Sequence, residues 1–232
     1  MTTLSVVVPA YEEPANLQRC LSALDRQPAE VVVVAAGSDH TDEVARDHPA
    51  CDIVVRDDGR GPGAARNLGV DAASGEIVLF TDADTVVPPA WVRTHRRHYD
   101  NPDVVGVGGP ARPLEDSLRH RALFKLLSDY WYRVSWPVGF VQQPTFNCSY
   151  RRDAFEAHGG FDETLPFMED TEFSLRLKDH GEVVYDPETE VATSARRERD
   201  EGYLSLFLMY ARAYVSHYVR GRRVRARYFD SQ

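Results

Sequence analysis

The chain has 232 residues, of which 43% are hydrophobic and 27% charged, and its net charge is −9. That length suits one sizeable α/β core and excludes two comfortable domains, while the composition excludes extensive disorder. The acidic balance also excludes a general nucleic-acid binder.

Of the 27 basic residues only Lys125 and Lys178 are lysine, a usage that fits a high-salt or GC-rich host. Cys20, Cys51 and Cys148 lack metal-type spacing, and three cysteines make no closed disulfide framework. They read as free thiols in a reducing cytoplasm. Met1-Thr2-Thr3 leads straight into a strand pattern rather than a secretory signal. No run reaches the ~18 apolar residues of a membrane span. A cytoplasmic protein is expected, with any membrane contact peripheral and at the inner face of the plasma membrane.

In chain order, residues 4–9 (LSVVVP) read as a buried strand, followed by a turn at Glu12-Glu13-Pro14 and a helix over 15–26. A second strand covers 31–36, a helix starts at 41–47, and a third strand covers 53–56. Glycines punctuate 59–63 before a helix at 64–73, and a fourth strand over 76–81 ends at Asp82. Continuous β-branched runs alternating with helices predict a mostly parallel, Rossmann-like sheet covered on both faces. Ligands of such sheets sit at the carboxyl ends of the strands, so the loops after Pro9, Ala36, Arg56 and Thr81 should line one crevice.

The rhythm changes after residue 103. A strand is predicted at 104–110, an aromatic helix-prone stretch at 118–136, a loop at 137–144 and a strand at 146–150. Helices follow at 152–157 and 169–180, the second closed by Gly181, with a late strand at 183–185. No repeat or low-complexity linker separates the halves. The expected organisation is one domain over residues 1–202, with a first half to about 102 and a second from about 103, and then a C-terminal segment over 203–232.

Two carboxylate pairs carry the chemical signal. Asp82-Ala83-Asp84 follows a buried strand directly, where both carboxylates can enter one crevice and suit a hard divalent cation bridging to phosphate oxygens. Glu169-Asp170 precedes an amphipathic helix, where helix capping and dipole complementation compete with a catalytic role. Arg66, after the glycine-rich turn, reads as opening a helix, either facing a phosphate or paired with a helix-cap carboxylate. The glycines at 59, 61 and 63 do not make a dinucleotide fingerprint. Asn67 reads as a brace for its loop and Phe161 as core. The eight histidines stand at no motif spacing and read as surface residues.

Taken together, VVVPAYEEPANLQRCL, the Gly37-Ser38 turn, GPGAARNLGVDAASGEIVLFTDADT and FNCSYRRDAFEAHGGFDETLPFMEDTEFSLRLKDHG resemble family-2 inverting glycosyltransferases of the GT-A fold over roughly residues 4–198. The closing VATSARRERDEG resembles a branch of small, stand-alone members. The resemblance implies a hexosyl-type transfer from a nucleotide-sugar donor (UDP- or GDP-sugar) with Mg2+ or Mn2+. Pro9, Ala10, Tyr11 and Glu12 would then lie against base and ribose, and Arg66 near the base or diphosphate. Asp82 would meet the ribose or the metal, and Asp84 would hold the metal. Asp170 would be the general base, with Glu169 orienting the acceptor or bracing it. Arg196 and Arg197 could clamp a phosphate bidentately or pair at the surface with Glu198 and Asp200.

Two departures qualify that picture. Many relatives carry acidic residues before the GS turn, one of them on the uracil ring, where this chain has Ala35-Ala36. Many also place a metal-binding histidine after the late strand, where this chain has Val191-Ala192-Thr193-Ser194. A sugar nucleotidyltransferase would need a glycine- and lysine-rich loop after the first strand, which VVVPAYEEPANL lacks. A non-catalytic scaffold of the same fold would be free to lose Asp82, Asp84 or Asp170, and all three are kept.

Residues 203–219 are apolar and aromatic, and Arg220, Arg222, Arg223, Arg225 and Arg227 follow. That order fits a helix lying in an anionic membrane interface, and equally one packed on the domain with a solvated basic end. Interfacial docking would suit a glycan or lipid-phosphate acceptor, an expectation drawn from the family.

Overall fold

The computed structural model describes residues 2–114 and 141–196, with isolated positions 122, 125, 126, 134, 135, 205, 209 and 212. Apart from those positions, the helices expected at 118–136 and 203–219 and the basic tail lie outside the described residues, as does Arg197.

The four apolar runs of the first half become β1 (Leu4–Tyr11), β2 (Glu30–Ala36), β3 (Ile53–Arg56) and β4 (Ile77–Phe80). They pair in parallel in the order β3-β2-β1-β4. From the second half, β6 (Val104–Gly108), β8 (Cys148–Arg151) and β9 (Glu182–Tyr185) extend this to a seven-stranded sheet, order β3-β2-β1-β4-β8-β6-β9. Only β8 runs against its neighbours β4 and β6, so the sheet is mostly parallel, as the strand pattern predicts. Both halves share it.

Alternation along the strands sorts the core into two layers. Val6, Val8, Ile77 and Leu79 face α1 (Pro14–Leu24), α2 (Thr41–Asp47) and α4 (Trp91–His98). Val7, Val78 and Phe80 face α3 (Pro62–Ala72), α5 (Arg152–Ala157) and α6 (Glu169–Leu177). On that second face Phe80, Tyr150, Phe155, Phe161 and Phe173 interlock as tilted and edge-on rings. Phe161 is core, as expected.

Three features stand out among the departures from the sequence expectations. Helix α3 begins at Pro62, two residues early, because proline's missing N–H and fixed φ suit a first turn. Arg66 therefore lies in the body of that helix and does not open it. The expected strand over 104–110 ends at Gly108, and the chain continues into β7 (Ala111–Pro113). β7 joins β5 (Thr85–Val86) and β10 (Val191–Thr193) in a small second sheet, order β5-β10-β7.

The third departure concerns the histidines, of which His48 and His95 are buried. His95 is wholly buried on α4, not a surface residue, and sits in a polar layer between that helix and β8. Its Nδ1 lies 2.8 Å from Ser149 Oγ and its Nε2 3.3 Å from Asn147 Oδ1. The Trp91 indole donates to the same Asn147 oxygen at 2.8 Å. Burial pushes the His95 pKa from 6.5 down to about 4, so the ring folds neutral. Because the folded value lies below the unfolded one, its stabilisation is complete above about pH 6.5 and drains away as pH falls toward 4. The unfolding free energy from urea titration should decline over that window, by up to about 3 kcal/mol from this group. His95→Gln should flatten the decline, and an unchanged slope would refute the assignment.

Candidate active site

The carboxyl ends of β1, β2, β3 and β4 open on one side of the sheet, with Tyr11 level with Ala36 and Ala35 level with Arg56. Pro9 is half-buried, Ala10 buried, and Tyr11 about one-third exposed. Glu12 has a left-handed backbone, φ 51°, and folds back over the turn after β2. There its Oε1 accepts from the amide and the hydroxyl of Ser38, each at 3.3 Å. Gly37 permits this closure, since a Cβ there would lie 2.4 Å from Glu12 Cγ. Glu12 thus braces the loop at the crevice mouth.

Asp82 and Asp84 lie in the turn between β4 and β5, at the floor of the crevice. Thr85 is level with Thr193 of β10, whose hydroxyl reaches Asp84 Oδ1 at 3.4 Å. Burial, with the nearby charges of Asp82 and Glu13, raises the Asp84 pKa to about 7, and Arg196 opposes the rise. Arg196 itself donates to Glu13 Oε1 at 2.5 Å, which brings the end of the described chain over the start of α1.

Among the described residues no group of three or more His, Cys, Asp or Glu side chains is arranged to hold a metal ion. The chemistry of Asp84 and Asp82 nevertheless fits a hard divalent cation. Their crowded negative charge gains from one, and Mg2+ or Mn2+ characteristically takes one or two carboxylates and fills its remaining positions with water and phosphate oxygens.

The second carboxylate pair enters from the other half. Met168 adopts φ 67°, rare for a side chain of its size, and turns the chain so that Glu169 and Asp170 begin α6. Neither is the residue that caps the helix. Instead Glu169 is buried against Arg66, whose Nη1 donates to its Oε1 at 2.5 Å. The other arm of the same guanidinium donates to Asp82 Oδ1 at 2.7 Å. Arg66 therefore joins the two carboxylate motifs, reaching Glu169 across 103 residues of chain; its partners are carboxylates, as one of its sequence readings has it, but Met168 and not Glu169 is the helix-cap residue. Burial raises the Glu169 pKa while Arg66 pulls it down.

Asp170 is half-buried, with Oδ1 accepting from the Thr171 amide at 2.6 Å and from its hydroxyl at 3.3 Å. Burial raises its pKa, against the pull of those donors and of Arg66. Nearby, Gly159 and Gly160 both have positive φ, and a Cβ on Gly160 would lie 2.8 Å from Asn67 Oδ1. Asn67 clamps the following backbone, giving to Phe161 O at 2.9 Å and taking from Phe161 N at 3.0 Å. It is a brace, as its sequence context suggests.

An α/β sheet of this order, with a crevice floored by paired carboxylates, is the GT-A glycosyltransferase architecture. A mannosyltransferase from Pyrobaculum calidifontis, solved with GDP-Man and Mn2+, superposes with a TM-score of 0.74 over 95% of this chain and 64% of its own, at 22% identity. The S. aureus protein TarS, solved with UDP-GlcNAc, gives 0.67 over 84% of this chain and 59% of its own, at 21% identity. The sequence settles the lineage: residues 5–159 match glycosyl transferase family 2, and the chain belongs to that family. It is 28% identical over 208 residues to the pre-mycofactocin glycosyltransferase of Mycobacterium tuberculosis, covering 84% of this chain and 43% of that protein. It is 37% identical over 99 residues to the glycosyltransferase AglE of Haloferax volcanii, covering 38% of this chain and 33% of that protein. The chain thus spans less than half the length of these relatives.

Proposed function

We propose that the chain transfers a sugar, with inversion, from a nucleotide-diphosphate sugar to an acceptor hydroxyl or phosphate. The observation that carries this reading is the convergence of Asp82 and Asp84 with Glu169 and Asp170 on one crevice, tied through Arg66. Pro9, Ala10 and Tyr11 at the end of β1 would receive the base and ribose. Arg196, with Arg197 next to it in sequence, would face the diphosphate. A cation held by Asp84 and Asp82 would offset the charge of the departing diphosphate.

In the step itself the Asp170 carboxylate takes the proton of an acceptor hydroxyl. The freed oxygen forms its bond to the anomeric carbon from the face opposite the diphosphate, and the bond to the diphosphate oxygen breaks. A phosphate acceptor is already anionic and leans less on the base. A donor charged with UDP or GDP fits what the two solved neighbours hold. A lipid-phosphate-linked glycan or polyprenyl phosphate fits the basic, aromatic C-terminal sequence, which would also give peripheral contact with an anionic membrane. Among the described residues no helix is long and apolar enough to cross one. Residues 1–202 would make up the catalytic domain.

The test is nucleotide release from UDP- and GDP-hexoses with Mn2+ or Mg2+, with and without lipid-phosphate acceptors. Release is expected with at least one donor, should stop with a chelator, and should be lost in Asp84→Ala. Undiminished activity in that variant would overturn the metal assignment. Failure of every donor to bind would overturn the proposal.

A further inference from the structure

We propose that Asp57 reads the nucleobase, accepting the ring N–H of a guanine or uracil; this rests on the crevice being a nucleotide-sugar site. Asp57 lies at the carboxyl end of β3, and its amide extends the ladder by donating to Ala35 O at 2.9 Å. Only 6% of the residue is exposed. One carboxylate oxygen, Oδ2, accepts from the Gly59 amide at 3.1 Å. The other, Oδ1, is buried with no hydrogen-bond partner among the described residues. A buried acceptor left in that state is costly, and native structures keep few of them.

Strand alternation indicates which face of the sheet the Asp57 side chain takes. Val54 packs with the layer under α1 and α2, and Arg56 follows it to that side, reaching Asp42 at 3.2 Å. Val55 packs with the layer under α3, and Asp57 shares its face, the one that carries Arg66. On the neighbouring strand Ala35 and Ala36 are small and leave room beside it. The partly exposed Tyr11 stands level with Ala36 one strand further on. A Cβ added at Gly59 or Gly61 would meet no atom within 4 Å, so the space over this loop is open. An aromatic side chain and an unsatisfied acceptor at the ends of strands on either side of β2 are groups that a flat heterocycle with an N–H can use. Asp57 thereby supplies, from β3, the carboxylate that the Ala35-Ala36 sequence withholds at the end of β2.

The chemistry of the edge sets the selectivity. Guanine N1 and uracil N3 carry a hydrogen, whereas adenine N1 and cytosine N3 present a lone pair that a carboxylate repels. A charge-assisted hydrogen bond of this kind is worth about 10- to 100-fold in affinity. Titration of UDP, GDP, CDP and ADP, with Mn2+ present, into the full chain and into Asp57→Asn measures it. The wild type should bind UDP or GDP by about that factor over CDP and ADP, and the tighter of the two identifies the base. Asparagine can still accept from Gly59 with its oxygen while turning its amide toward the base. The variant should therefore lose the preference and gain relative affinity for CDP and ADP, while its melting curve confirms folding. An unchanged preference in the variant, or an equal loss for all four nucleotides, would overturn the assignment by making Asp57 a brace for its loop. If the variant does not fold, the wild-type ranking decides alone, and equal affinity for all four overturns it. If none of the four binds the wild type, the nucleotide-site reading fails first and takes this assignment with it.

Discussion

Asp170→Asn is expected to bind nucleotide as tightly as the wild type while its turnover on a hydroxyl acceptor falls about 10²- to 10⁴-fold, the usual worth of a positioned general base. The substitution keeps the shape of the side chain and an oxygen for the Thr171 amide, so the start of α6 should hold its geometry. It removes the proton acceptor alone. Burial holds the Asp170 pKa above the ordinary carboxylate range, and a base nearer neutrality accepts a proton with more driving force. The wild-type rate should therefore rise with pH along an acid limb displaced upward from that range. The residual rate of the variant should lack this limb. Single-turnover rates and a separate nucleotide titration check both statements. A parallel loss of nucleotide affinity would mean that Asp170 supports the fold of the crevice and does not act on the acceptor.

The division between what could be read from the sequence and what could not follows the range of the interactions. β1 to β4 are continuous runs of valine, isoleucine and leucine, and that local pattern suffices to place them and the crevice at their ends. The DAD and ED pairs are equally local. Helix α4 escapes notice because WVRTHRRH buries only Trp91, Val92 and His95, with the histidine satisfied by Asn147 and Ser149 more than 50 residues away. The second sheet escapes because its strands are two and three residues long, too short for any period to show. Asp57 and Asp58 are indistinguishable as letters. Only the burial of the first, with one oxygen unsatisfied, separates them. The Arg66 bridge is the same kind of case, since its type of partner can be anticipated but not which carboxylates it joins.

That bridge gives the largest expected effect on stability. Arg66→Met should lower the unfolding free energy by about 3–5 kcal/mol, the cost of removing one partner from a buried ion pair and stranding the other. The guanidinium is itself buried, and it satisfies Glu169, also buried, and Asp82, whose side chain is one-third exposed. Methionine fills much of the volume but leaves the Glu169 carboxylate to face desolvation without a counter-charge. Desolvation already raises the Glu169 pKa, and losing Arg66 should raise it further. A carboxyl raised in the folded state is most favourable when protonated, so stability from this group is present at low pH and lost as pH rises through the folded value. The penalty of Arg66→Met should therefore be smaller at pH 5 than at pH 8, opposite to the trend expected from His95. Adding Glu169→Gln to Arg66→Met removes the stranded charge. The double variant should recover much of the lost stability and lose the pH dependence, yet stay impaired in turnover because Asp82 and α6 are no longer tied together. Urea unfolding of the wild type, Arg66→Met, Glu169→Gln and the double variant at both pH values, with nucleotide release measured alongside, separates these outcomes. Additive losses in the double variant would show that Arg66 and Glu169 contribute independently, and the bridge would then not be what holds the two halves of the crevice in register.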